Sequence, residues 1–157
     1  MLQSVYIETT VVSYLTARLS RDLVQRAHQR VTRTWWRTRR SHFALYVSPL
    51  VLQEAAGGHA LRVRRRMAAL QGIAVLAPTA EAVQLARAFV TRGPIPQKAD
   101  VDALHIAIAT VHGVDYLLTW NCTHIANAMM RSQIEHLCRA AGYEPPVLCT
   151  PEELLEE

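Results

Sequence analysis

The chain has 157 residues, half of them hydrophobic, with 17 Lys and Arg against 13 Asp and Glu, a formal charge of +4. That length suits one domain with its own core, and a charged fraction of 19% argues against a disordered chain. No apolar run nears the roughly 20 residues that cross a bilayer, and the start from Met1 to Thr10 lacks a basic n-region and carries Glu8, unlike a signal peptide; the expected location is the cytoplasm.

Cys122, Cys138 and Cys149 are odd in number and form no C-x-x-C, which fits reduced thiols better than a disulfide framework or a zinc site. The charge is uneven. Between Arg18 and Arg66 stand twelve arginines and two acids, Asp22 and Glu54, whereas the rest of the chain has five basic and eleven acidic residues. Such a segment suits a polyanion or an acidic protein partner, and equally a solvated basic face.

In chain order, Ser4 to Ile7 is a β-branched and aromatic run, a first strand. Glu8-Thr9-Thr10 follows, where a threonine cap would open a helix over Val11 to Leu19. Arg21 to Arg40 reads as a second helix with Val24, Val31 and Trp35 on its apolar stripe. Phe43 to Val47 is a second strand, and Ser48-Pro49 opens a helix that carries Glu54 and stops at Gly57-Gly58. His59 to Leu70 is an arginine-laden helix, Ile73 to Leu76 a third strand, and Pro78-Thr79 opens a helix through Val90. After a loop broken by Gly93, Pro94 and Pro96, Asp100 to Val111 is a helix ended by Gly113. Tyr116 to Thr119 is a fourth strand, His124 to Ala141 a long helix ended by Gly142, Val147 to Cys149 a short fifth strand, and Pro151 to Leu155 a terminal turn. Strands alternating with helices indicate an α/β fold: a parallel sheet with helices on both faces.

Sites in such sheets form beyond the carboxyl ends of the strands. Glu8 follows strand one, Glu54 lies on the helix after strand two, Asp102 is in the first turn of the helix before strand four, and Asn121 lies just past that strand. Each has an ordinary alternative: Glu8 and Asp102 as charges near helix N-termini, Asp100 as a cap, Glu54 as an exposed helix residue, Asn121 as an N-cap. Context weighs against it. Glu8 sits in an otherwise uncharged stretch from Val5 to Leu15 that looks buried, and a buried carboxylate needs a partner. A divalent cation would be one, and converging carboxylates suit Mg²⁺ or Mn²⁺, which lower the pKa of water and offset charge on phosphate.

Four segments, in order, resemble the PIN-domain family, and most closely the toxins of VapC-type toxin–antitoxin pairs: Tyr6-Ile7-Glu8-Thr9-Thr10-Val11-Val12-Ser13-Tyr14-Leu15, Ser48-Pro49-Leu50-Val51-Leu52-Gln53-Glu54, Asp102-Ala103-Leu104-His105-Ile106-Ala107-Ile108-Ala109, and Leu117-Leu118-Thr119-Trp120-Asn121-Cys122-Thr123-His124-Ile125-Ala126-Asn127. The resemblance covers nearly the whole chain. It implies a single PIN-like three-layer α/β/α domain over residues 1–157 with a central parallel sheet of four or five strands. It also implies an endoribonuclease toxin dependent on Mg²⁺ or Mn²⁺, a cognate antitoxin whose tail covers the site, and a homodimer.

The family's acidic positions fall on Glu8, Glu54 and Asp102 as metal ligands, with Asn121 at a fourth catalytic position. Thr9, His105 and His124 would stand behind them. Two departures are visible: Glu8 replaces the usual aspartate, and Asn121 replaces an acid, with His124 nearby. His105, one turn after Asp102, reads as either a site residue or a hydrogen-bonded core histidine. Arg37, Arg39, Arg40, Arg62 and Arg65 are the RNA-binding candidates, and Trp36 could stack on a base. The principal rival is a PIN-like RNA- or protein-binding module with weak or lost catalysis. A P-loop or Rossmann phosphoryl enzyme is disfavoured by the lack of a Gly-rich phosphate loop, and a DNA-directed nuclease stays open, because a 2′-hydroxyl preference is not legible in sequence.

Overall fold

The computed structural model describes residues 1–156. Its centre is strand β1 (Gln3–Ile7), whose Val5, Tyr6 and Ile7 are fully buried. A strand apolar on both faces belongs in the middle of a parallel sheet. β1 pairs in parallel with β2 (Phe43–Val47) on one side and β4 (Tyr116–Leu118) on the other, with β3 (Ala74–Val75) and β5 (Val147–Cys149) at the edges. The order is β3-β2-β1-β4-β5. All five expected strands are present, and the two edge strands are short, which limits their value as templates for stray pairing.

The helices fall into two sets that pack among themselves: α1 (Thr9–Thr16), α2 (Leu23–Thr38), α3 (Pro49–Ala55) and α4 (Ala60–Leu70), and then α5 (Ala80–Thr91), α6 (Asp100–Val111) and α7 (Ala128–Ala140). Sheet and helices make the three-layer α/β/α arrangement expected. Two caps are where the sequence signals put them: Ser48 accepts from Leu50 N–H with Pro49 at the first helical position, and Thr79 accepts from Ala82 N–H. Asp22, which was not foreseen as a cap, accepts from Gln25 N–H at the start of α2. Gly142, at φ 90°, ends α7 in the left-handed region that suits glycine.

Several boundaries differ from expectation by a few residues, and three of the differences bear on the site. α1 begins at Thr9, with Glu8 in the cap position making no side-chain cap bond, because the threonine hydroxyls expected to cap it are used elsewhere. Asp100 is the first residue of α6, after Ala99, and not its cap. The last long helix starts at Ala128 and not at His124: Asn121 ties residues 121–126 into a separate turn by accepting from Ile125 N–H and Ala126 N–H, and Asn127 caps α7 through Met129 N–H.

Candidate active site

The chain leaves β1 toward β2 and returns on β1's other side as β4, so the direction of winding reverses between β1 and β4. That switch point opens a crevice at the carboxyl ends of these strands. Glu8 sits there. Its N–H donates to Leu118 O at 3.0 Å, and the residue is only 3% exposed. Its Oε1 accepts from Thr10 Oγ1 and, at 2.6 Å, from Thr119 Oγ1. The partner of this buried acid is therefore a pair of hydroxyls, each held in turn: Thr10 Oγ1 accepts Trp120 N–H at 2.8 Å, and Thr119 Oγ1 accepts Asn121 N–H at 2.9 Å. Both bonds to Glu8 fall on one oxygen.

Glu54, near the end of α3, shows the same asymmetry. Its Oε1 accepts from Thr9 Oγ1 at 2.7 Å and contacts His105 Nε2 at 2.7 Å. The side chain is 41% exposed. Burial by itself raises the Glu54 pKa, but the hydrogen bonds from His105 and Thr9, with the positive edge of the imidazole, outweigh it and hold the carboxyl below its ordinary range. Donor atoms of Glu8, Glu54 and His105 all lie within 4.8 Å of one another.

Asp102 is outside that group. One turn before His105 on α6, it pairs with His124, Oδ2 to Nδ1 at 3.1 Å, each side chain about one-fifth exposed (21% and 20%). The structure thus brings Glu8 and Glu54 together as expected, but the third member of the close cluster is His105 and not Asp102. Asn121 spends its side-chain oxygen on His124 N–H at 3.0 Å, which holds the turn that carries His124 to Asp102. Thr10, Thr119, Tyr6 and Ser48 were not foreseen as site residues. The one signal for the first was the unbroken Glu8-Thr9-Thr10 run after a strand, and nothing local marked the others.

A divalent cation fits this donor set. Two carboxylates converge, each with Oε1 fixed by two donors and with no hydrogen bond to its Oε2 among the described residues. That is oxygen-rich, hard-ligand chemistry.

The arginines divide. Arg33 donates to Leu15 O and Ala17 O at the end of α1, Arg66 to Ala55 O and Gly57 O at the end of α3, and Arg26 to Ser20 O. These are structural. Arg39 pairs with Glu156 at 3.0 Å, and Arg40 lies 4.2 Å over the Trp36 ring, which covers that face. Arg37 is exposed. Arg62 and Arg65, with Arg18, His59, Leu61 and Ala17, line a groove of about 530 Å³. Trp35 is core, stacked on Phe43. Among the described residues no helix is long and apolar enough to cross a membrane.

No protein-family model and no curated protein matches the chain. Solved structures do. The VapC20 toxin of Mycobacterium tuberculosis, described as cleaving the sarcin–ricin loop, aligns at a TM-score of 0.57 with 18% identity, over 88% of this chain and 95% of that one. A chain of the VapBC2 complex of Rickettsia felis, bound to a DNA fragment from its promoter, aligns at 0.54 with 12% identity, over 76% and 89%. At such identities the likeness is one of fold, and it is the fold that the four sequence segments implied: this chain is built like the VapC-type toxins.

Proposed function

We propose that the chain, as one domain, is a metal-dependent endoribonuclease, the toxin of a toxin–antitoxin pair. The observation that carries this reading is the convergence of Glu8 and Glu54 at the β1/β4 switch point, each with one oxygen pinned and the other uncommitted. Glu8 and Glu54 would hold the cation, with Asp102 at the rim one helical turn from His105. Mg²⁺ or Mn²⁺ bound there supplies Lewis acidity toward water and phosphate oxygen.

The protein's part is orientation. Thr10 and Thr119 fix the Glu8 carboxylate, Thr9 and His105 fix that of Glu54, and the Asn121 turn holds His124 against Asp102. In the hydrolysis a water oxygen forms the new bond to phosphorus while the bond to the leaving sugar oxygen breaks. The water's proton passes to solvent or to the Asp102–His124 pair, and the leaving oxygen takes up a proton. Arg62 and Arg65, with Arg18, offer the clearest backbone-binding surface, and the same basic groove suits an acidic antitoxin segment. Arg37 is a further candidate contact, whereas Arg39 and Arg40 would first have to leave Glu156 and Trp36. A homodimer in the cytoplasm completes the reading.

The rival is a PIN-like RNA- or protein-binding module with little catalysis. Two observations favour it: Asp102 is engaged by His124 outside the close cluster, and the amide that stands at the fourth acidic position is spent on a turn. One experiment separates the two. Purified protein is incubated with a pool of structured RNAs that includes a sarcin–ricin hairpin, with Mg²⁺ or Mn²⁺, with EDTA, and with the Asp102→Asn variant alongside. Cleavage that needs metal and is lost in the variant is the expected result. Folded, metal-loaded protein that cuts nothing, or a variant that cuts equally well, overturns the nuclease reading in favour of the binding module.

A further inference from the structure

Tyr6, Ser48 and His105 are buried polar side chains, each with 0% exposure, joined in one chain of hydrogen bonds. Ser48 Oγ accepts Leu50 N–H at 3.2 Å and lies 2.7 Å from Tyr6 Oη. Tyr6 Oη lies 2.7 Å from His105 Nδ1, and His105 Nε2 lies 2.7 Å from Glu54 Oε1. The chain closes on a single helix: Ser48 caps the start of α3 and Glu54 stands near its end. It thereby ties that helix to β1 through Tyr6 and to α6 through His105.

The hydrogens in this chain can be assigned by counting. A carboxylate only accepts, so the Nε2 facing Glu54 carries a hydrogen. With the ring neutral, Nδ1 is then a bare acceptor. Tyr6 donates to it, Ser48 donates to Tyr6, and Leu50 N–H donates to Ser48, so every donor meets an acceptor and the chain runs one way. A ring protonated only at Nδ1 would set the Nε2 lone pair against the carboxylate. A ring protonated at both nitrogens would make Tyr6 accept from Nδ1 and donate to Ser48, and the Ser48 hydrogen would then find no acceptor among the described residues. A buried hydroxyl left unpaired is costly.

We infer that His105 is not a metal ligand, although it belongs to the close cluster, but a positioning residue: the Leu50–Ser48–Tyr6 chain holds it as the neutral Nε2–H tautomer, so that it occupies Oε1 of Glu54 and leaves Oε2 as the one oxygen offered to a divalent cation. Both ring nitrogens are committed, and coordination through either would break the chain. The same division operates at Glu8, where Thr10 and Thr119 take Oε1. The cluster therefore presents two single carboxylate oxygens. The inference rests on the proposed metal site for its consequence, but the tautomer itself needs neither metal nor RNA.

The test uses the full chain. In metal-free protein labelled with ¹⁵N-histidine, the His105 resonances should be those of a neutral ring with hydrogen on Nε2; an Nδ1–H ring or an imidazolium at neutral pH overturns the inference. In Mn²⁺-loaded protein, pulsed electron paramagnetic resonance should show no imidazole ¹⁴N coupling to the metal, and a ¹⁴N coupling lost in a His105 variant overturns it. His105→Gln, whose amide places an N–H near the Nε2 position, should keep Mn²⁺ affinity within about threefold, whereas His105→Leu and Tyr6→Phe should each lose about tenfold, the usual scale for an orienting partner. Equal loss in Gln and Leu variants points to a ligand and counts against it. A protein that cuts RNA yet shows the ¹⁴N coupling overturns this inference and leaves the nuclease reading intact. One that keeps the Nε2–H ring but binds no Mn²⁺ and cuts nothing overturns the nuclease reading and, with it, the role of His105 toward a cation, while its tautomer stands.

Discussion

Replacing Glu8 by glutamine separates what the carboxylate costs the fold from what it gives the site. Glu8 is 3% exposed and shares a cluster with Glu54 in which donor atoms lie within 4.8 Å. At that separation two unit charges repel by about 3.5 kcal/mol for an effective dielectric of about 20. Glu54 is 41% exposed, so water screens much of this, and about 1–2 kcal/mol survives. The glutamine removes that repulsion and the cost of keeping a charge out of water. It keeps an amide oxygen for the Thr10 and Thr119 hydroxyls, although bonds to a neutral acceptor are weaker by about 1 kcal/mol each.

The weakened bonds about cancel the lost repulsion, and relief of the desolvation cost, about 0–2 kcal/mol net after relaxation and water penetration, leaves the metal-free protein between equal in stability to the parent and about 2 kcal/mol more stable. At about 2–4 °C per kcal/mol for a chain of this size, the melting temperature stays level or rises by up to about 8 °C. Metal reverses the order. At a concentration of about 100 Kd a cation stabilises the parent by about 2.7 kcal/mol, or about 5–10 °C, and the glutamine variant should show little of that rise. Thermal unfolding of both proteins, with EDTA and with a Mg²⁺ or Mn²⁺ series, measures all four quantities. A variant that melts well below the parent in EDTA would show Glu8 to be a net structural asset, and a variant that keeps the full metal-dependent rise would remove Glu8 from the metal site.

Three further outcomes follow from the geometry. A methyl added at Gly93 would sit 2.6 Å from Phe89 O and 2.8 Å from Leu137 Cδ1, where α5 ends against α7, so Gly93→Ala should cost about 1–3 kcal/mol in denaturant unfolding; an unchanged midpoint would refute the close approach. Because the folded Glu54 pKa is depressed below the ordinary value of 4.5, its contribution to stability is present above that value and is lost as pH falls through the lower folded value; between about pH 5 and pH 3 the parent should therefore lose more stability than Glu54→Gln, and parallel curves would contradict the assignment. Burial pushes the Cys138 thiol up to about 11 and the Cys149 thiol up to about 12, while Cys122 is exposed; a thiol reagent at about pH 8 should titrate one cysteine in the native protein and the other two only on unfolding, and three fast thiols would refute that burial.

Much of the fold was legible because its signals are local. A β-branched run, a Ser-Pro start, a Gly stop and a switch between periods of about 2 and about 3.6 residues are written into short windows. They placed five strands, the helices between them, and acids beyond strands one and two. The burial of Glu8 was also legible, from the uncharged stretch around it. The arginine-rich half was legible as charge but not as use. Arg33 and Arg66 close helix ends by bonding carbonyls 18, 16, 11 and 9 residues away, and a carbonyl acceptor leaves no mark in the sequence.

Only the tertiary structure decided which groups meet the acids. Glu8 is oriented by a hydroxyl 111 residues away, Glu54 by an imidazole 51 residues away, and that imidazole by a phenol 99 residues away. Spacing along α6 put Asp102 and His105 on about the same face and gave no means of choosing between them. Packing set His105 Nε2 against Glu54, and the Asn121 turn gave Asp102 to His124. A side chain's partner is set by the packing of elements brought together by the sheet, and short-range patterns fix the elements without fixing those contacts.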